Sequence, residues 1–145
     1  MNEADAIRQI LTHAQTIAVV GLSPDPGRDS HTVARALQAN GYRVVPVNPQ
    51  AGVPDILGER VYGSLAEAAA EHRIDVVDCF RKSAEMPGLV DEAITIGAKA
   101  VWMQLGVSHP GAARMAQAAG LRVVQNKCMK IEHSALSARG LLAPR

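Results

Sequence analysis

Ile17-Ala18-Val19-Val20-Gly21-Leu22-Ser23 is an apolar, β-branched run that stops on a glycine, and Pro24-Asp25-Pro26-Gly27-Arg28-Asp29-Ser30 then leads into a helix at about His31. Unbroken rather than alternating apolarity marks a strand covered on both faces, as in a parallel sheet. The pattern recurs at Arg43 to Val47, Asp75 to Cys79, Ala98 to Met103 and Leu121 to Gln125. Between these runs lie helix candidates at Thr32 to Ala39, Ser64 to His72, Ala84 to Ile96 and Pro110 to Ala119. Ser64 with Glu67 three residues on is a capping-box pattern, and Gly41, Gly97 and Gly120 stand where helices should stop. An amphipathic Glu3 to Ala14 adds an N-terminal helix before the first strand. Strand, helix and strand in repeated alternation predict an α/β fold: a Rossmann-like doubly wound five-stranded parallel sheet with helices on both faces.

A length of 145 residues suits one domain spanning the whole chain, with a core from about 14 to 136 and a loosely held tail after Leu136. With 48% hydrophobic and 20% charged residues the chain can bury a core, which excludes wholesale disorder. Aromatic residues are 3%, so that core must come from Val, Ile, Leu and Ala. Fifteen Lys and Arg against 14 Asp and Glu leave a net charge of +1, so bulk charge does not point to nucleic acid and any anion site must be local. No apolar run approaches the roughly 20 residues of a membrane span, and the N-terminus carries acids where a signal peptide needs bases. The expected location is the cytoplasm. Cys79 and Cys128 lie far apart and match no paired metal spacing, which fits a reduced compartment and predicts no metal.

In open α/β sheets ligands bind outside the carboxyl ends of the strands, so the residues that follow each strand carry the functional information. After the first strand, Gly21 lets a phosphate approach the backbone, Ser23 and Ser30 add hydroxyls, and Arg28 adds a cation that forks onto phosphate oxygens. The plainer reading is a long turn with Asp29 or Ser30 as N-cap. Placement after the first strand favours the pyrophosphate cradle. The turn lacks the G-x-G-x-x-G fingerprint and a Walker lysine. The second strand ends Val47-Asn48-Pro49, with no acid for a ribose 2′-OH, which argues against a nicotinamide cofactor. Phe80 offers a face for a base and Arg81 or Lys82 a charge for a phosphate; a core Phe80 with solvated basic neighbours is the plainer alternative. Gln104 can donate or accept a bond, and Gly106 either lies under a ligand or merely makes a turn.

Gly21-x-Ser23, Arg28-x-Ser30, Val47-Asn48-Pro49, Asp78-x-Phe80-Arg81 and Trp102-x-Gln104-x-Gly106-Val107, in this order, resemble the small stand-alone CoA-binding proteins. Their fold is similar to the CoA-binding N-terminal domain of the succinyl-CoA synthetase α subunit. The resemblance covers about Ala14 to Leu136. It implies coenzyme A as ligand, whose extra ribose 3′-phosphate calls for cations and for no acid beside the ribose. By that likeness Gly21, Leu22 and Ser23 with Arg28 and Ser30 would hold phosphates. Asn48 and Pro49 would lie by the ribose or adenine, Phe80 and Arg81 would line the adenine side, and Gln104 and Gly106 would border the pantetheine arm.

The synthetase subunit also needs a second domain with a phosphorylated histidine, and this chain ends before such a domain; Gln104 stands where that family has an acid. The expectation is therefore binding of CoA or an acyl-CoA without catalysis. The alternative is a CoA-dependent enzyme or enzyme subunit, with Cys128 between Lys127 and Lys130 exchanging disulfides with the CoA thiol. A partly buried structural Cys128 is the plainer reading. An NAD(P)-dependent oxidoreductase is the remote third. Partners are limited to CoA or acyl-CoA, with a homo-oligomer or a separate partner enzyme left open, and no nucleic acid or membrane.

Overall fold

The computed structural model describes residues 1–143 and 145. Helix α1 (Glu3–His13) precedes β1 (Thr16–Val20), and the chain continues through α2 (Asp29–Ala39), β2 (Arg43–Val47), β3 (Asp55–Ile56) and β4 (Glu59–Arg60). It then runs through α3 (Leu65–Glu71), β5 (Val76–Cys79), a 3₁₀ turn at Ser83–Glu85, α4 (Met86–Thr95), β6 (Ala100–Met103), α5 (Pro110–Ala118), β7 (Arg122–Val124) and α6 (Met129–Ala138). The main sheet has the order β2-β1-β5-β6-β7 and all its pairs are parallel. The chain first steps outward from β1 to β2, then crosses back to β5 on the other side. The strand order thus reverses between β1 and β5, which makes their carboxyl ends the topological switch point of a doubly wound sheet.

Side chains that alternate along the strands build two apolar layers. Ala18, Val20, Val45, Val77, Cys79 and Val101 face α3, α4 and α5. Ile17, Val19, Val44, Val76, Ala100 and Trp102 face α1, α2 and α6. Trp102 is wholly buried and its Nε1 donates to the Lys127 carbonyl at 2.8 Å. An unpaired buried N–H costs about 1–3 kcal/mol, so this bond ties the start of α6 to the sheet end. The expected caps are present. Ser64 Oγ accepts from the Glu67 N–H at 3.1 Å, and Glu67 Oε2 accepts from Gly63 rather than from Ser64. Gly41, Gly97 and Gly120 all have positive φ just beyond their helices.

Three features depart from the sequence expectations. The β3–β4 hairpin turns on Leu57 and Gly58, with φ of 54° and 76°. A two-residue hairpin needs positive φ at both positions, and Leu-Gly lacks the usual Asn-Gly signature. Helix α6 was not expected, because only Met129 of its residues is buried and its apolar periodicity is faint. The tail after Leu136 is not loosely held: Leu136 and Leu142 pack on the α1/α2/α6 layer. The Arg145 guanidinium lies 4.2 Å from the Tyr42 ring centroid and donates to the Thr12 carbonyl at 3.0 Å, closing the end of α1. No described helix is long and apolar enough to cross a membrane.

Candidate functional site

The turn after β1 is stitched to itself and to its neighbours. Gly21 has φ +88° and its N–H donates to the Val47 carbonyl at 2.8 Å, so it shapes the turn rather than offering a donor. Leu22 is fully buried and can meet a ligand only through its backbone. The Ser23 N–H donates to Ser30 Oγ at 3.0 Å, Asp25 N–H to Ser23 Oγ at 3.1 Å and Gly27 N–H to Asp25 Oδ1 at 2.8 Å. Ser30 is buried by this arrangement. Neither Asp29 nor Ser30 is the N-cap. Arg28 occupies that position and makes no side-chain cap bond, because a guanidinium has no acceptor to offer a helix N–H; the Ser30 hydroxyl is engaged across the loop.

What the turn leaves open is a pair of unpartnered donors at the start of α2. A helix leaves its first N–H groups without intrahelical acceptors, and those of Asp29 and Ser30 have none among the described residues. Arg28, the exposed N-cap residue that immediately precedes these donors in the chain, forms no ion pair among the described residues. The Asp29 carboxylate in the same turn partly offsets that positive end.

Asn48 closes the neighbouring strand end onto this turn. Its Nδ2 donates to the Leu22 carbonyl at 2.9 Å and its Oδ1 accepts from the Gln50 N–H at 2.9 Å. Pro49, exposed, follows at the rim. The Phe80 N–H donates to the Val20 carbonyl, and its half-buried ring packs on the α1/α2/α6 layer. Arg81 does not stand free: its Nη2 and Nε lie 2.7 Å and 3.2 Å from Glu85 Oε1. That bond holds the Glu85 carboxyl below the usual carboxylate range. Pro49, Arg81 and Glu85 share a cleft of about 210 Å³ with the ends of β1 and β2. Wider clefts run along α1, and none of them contains a residue singled out from the sequence.

Within β5, beside the end of β6, the structure adds a group that sequence reasoning placed in a motif without giving it a role. Asp78 is fully buried and its Oδ1 accepts from Gln104 Nε2 at 2.6 Å, while Oδ2 has no partner. Burial pushes the Asp78 carboxyl up to about 7, and the Gln104 bond only partly opposes this. A lone carboxylate inside the apolar run Val76-Val77-Asp78-Cys79 was the available signal. Another buried atom, Nδ1 of His31 in the first turn of α2, also lacks a partner. Gly106, at φ +83°, donates its N–H to Asn126 Oδ1 at 2.7 Å and has open space where a Cβ would stand.

Cys128 is half buried at the N-cap position of α6 and packs against the α1/α2/α6 layer. The Lys127 ammonium, its expected activator, is held 2.7 Å from Glu3 Oε1. Cys79 is buried in the opposite layer, where burial and the nearby Asp78 raise its thiol well above the ordinary range. Among the described residues no group of three or more His, Cys, Asp or Glu could hold a metal ion.

Comparison with known proteins places this geometry. The chain is 38% identical over 128 residues to the uncharacterized protein YneT of Bacillus subtilis (strain 168), covering 88% of this chain and 92% of that one. A hypothetical protein from Pyrococcus horikoshii OT3 matches with a TM-score of 0.85 at 40% identity, over 92% of both chains. An acetyl-coenzyme A synthetase of Ca. Korarchaeum cryptofilum matches with a TM-score of 0.65 at 23% identity, over 81% of this chain and 27% of that one, a likeness of fold alone. The family model for the CoA binding domain spans residues 15–134, from the residue before β1 into α6 and across every strand end described above, and the chain belongs to that family.

Proposed function

We propose that the chain, acting as one domain, binds coenzyme A or an acyl-CoA across the carboxyl edge of its sheet without catalysing a reaction itself. The observation that carries this reading is the first turn of α2. Unpaired N–H groups there directly follow the free Arg28 in sequence, next to a β2 end that has no acid, in a chain of the CoA binding domain family. The turn from Gly21 to Ser23, tied to the buried Ser30, forms the floor of a pyrophosphate site, and Arg28 adds the charge. Asn48 and Pro49 border the ribose and adenine, with Phe80 and Arg81 on the adenine side. Gln104 and Gly106 border the pantetheine arm. Absence of catalysis is supported by the thiols: Cys79 is sealed in the core, and the Lys127 ammonium next to Cys128 in sequence is paired with Glu3.

Isothermal titration with CoA, dephospho-CoA, acetyl-CoA and NAD tests the reading. CoA and acetyl-CoA should bind alike, dephospho-CoA about tenfold or more weakly for want of one charge-assisted contact, and NAD not measurably. No binding of CoA, or equal binding of dephospho-CoA, overturns it.

A further inference from the structure

Gln104 has one polar atom with no partner among the described residues. Its main-chain N–H lies 3.3 Å from the Cys79 carbonyl, and its own carbonyl accepts from the Val107 N–H at 2.8 Å. Its Nε2 donates to Asp78 Oδ1 at 2.6 Å. Its Oε1 accepts no bond among the described residues and is not one of their buried unpaired atoms, so it reaches solvent at the end of β6. Above about pH 7, where the Asp78 carboxyl is ionised, it accepts and never donates, so flipping the amide would set two oxygens against each other.

The other oxygen of Asp78 is buried with no partner. Purely architectural polar pairs are normally satisfied on all their buried atoms, and an apolar pair of the same shape holds a core at least as well. A half-satisfied carboxylate beneath the strand ends at the switch point therefore calls for another role. We propose that Asp78 is a specificity-determining positioning residue. It locks the Gln104 amide so that the carbonyl oxygen, not the NH₂, is presented to an amide N–H of the pantetheine arm. This rests on the CoA reading above.

Parallel titrations of CoA and adenosine 3′,5′-bisphosphate, which lacks the arm and its amides, test the assignment. In Asp78→Leu the amide is free to turn, and CoA affinity should fall about three- to tenfold while the bisphosphate binds as to the parent. Asp78→Asn can accept from or donate to the Gln104 amide, so it keeps the contact without fixing its direction and should leave CoA affinity between that of the parent and that of Asp78→Leu. A second measurement uses the unmodified protein: the Gln104 side-chain amide resonances should shift on adding CoA and stay in place on adding the bisphosphate. Unchanged CoA affinity in Asp78→Leu, equal losses for both ligands, or amide resonances that ignore CoA overturn the role of Asp78 and leave the CoA reading standing. A parent that binds neither ligand overturns both.

Discussion

Gly21 and Phe80 meet backbone to backbone: a Cβ on Gly21 would stand 2.3 Å from the Phe80 carbonyl oxygen. The obstacle is main chain and cannot rotate away, and the φ of +88° is one that L side chains avoid. Gly21→Ala should therefore cost about 2–4 kcal/mol, adding overpacking to the left-handed backbone cost. Gly106→Ala has a similar φ but open space, and should cost about 1–2 kcal/mol. Urea unfolding of the two variants checks the difference; equal losses would count against the Gly21 contact.

Asp78 should make stability fall as pH rises. Its folded pKa of about 7 lies above the unfolded value of about 3.9, so the folded state binds more protons between them. Its contribution is fully present below about pH 4 and is lost as pH approaches 7, by on the order of a few kcal/mol. Asp78→Asn should gain stability over the parent at pH 8 and lose most of that advantage at pH 4. Denaturant titrations at both pH values read this, and a pH-independent difference would contradict it.

In the proposed CoA reading, Glu85 holds the Arg81 guanidinium that would otherwise face the ligand. Glu85→Gln should release that guanidinium and remove a negative charge from the cleft that Pro49 shares, tightening CoA binding about two- to threefold at low salt. The gain should shrink in high salt, by titration calorimetry. Weaker binding in Glu85→Gln would mean that the pair orients Arg81 rather than restraining it.

The two thiols should differ in reactivity. Iodoacetamide on the folded protein should label the half-buried Cys128 well before Cys79, whose thiol is raised by burial and by Asp78. Peptide mass spectrometry follows both sites, and Cys79 labelled at the Cys128 rate would contradict the burial argument. Cys128→Ser should bind CoA within about twofold of the parent, since Cys128 packs against the core and holds no ligand in this reading.

Local composition made the layered fold legible. The run Ile17 to Val20, wholly apolar, and the run Val76 to Cys79, apolar but for Asp78, are buried on both faces, as such runs require. Ser64 capped α3 where its spacing with Glu67 said it would. The carboxyl-edge residues were also readable, because in a parallel sheet the position after each strand is fixed by the strand itself. Three things were not readable: the Leu57-Gly58 turn, the sparsely buried α6 and the anchoring of Arg145 on Tyr42. Each depends on partners remote in the chain or on a turn without its usual residues.

By itself, then, the sequence determined the alternation of strands and helices and which residues stand at the strand ends, since both follow from short-range pattern. Only tertiary structure decided which of those residues are free. It engaged Asn48 with Leu22 and Gln50, Arg81 with Glu85, and Gln104 with Asp78, while leaving Arg28 and the first N–H groups of α2 open. Hydrogen bonds between residues 26 positions apart, such as Asn48 to Leu22 and Gln104 to Asp78, exist only once the sheet has set its strands side by side.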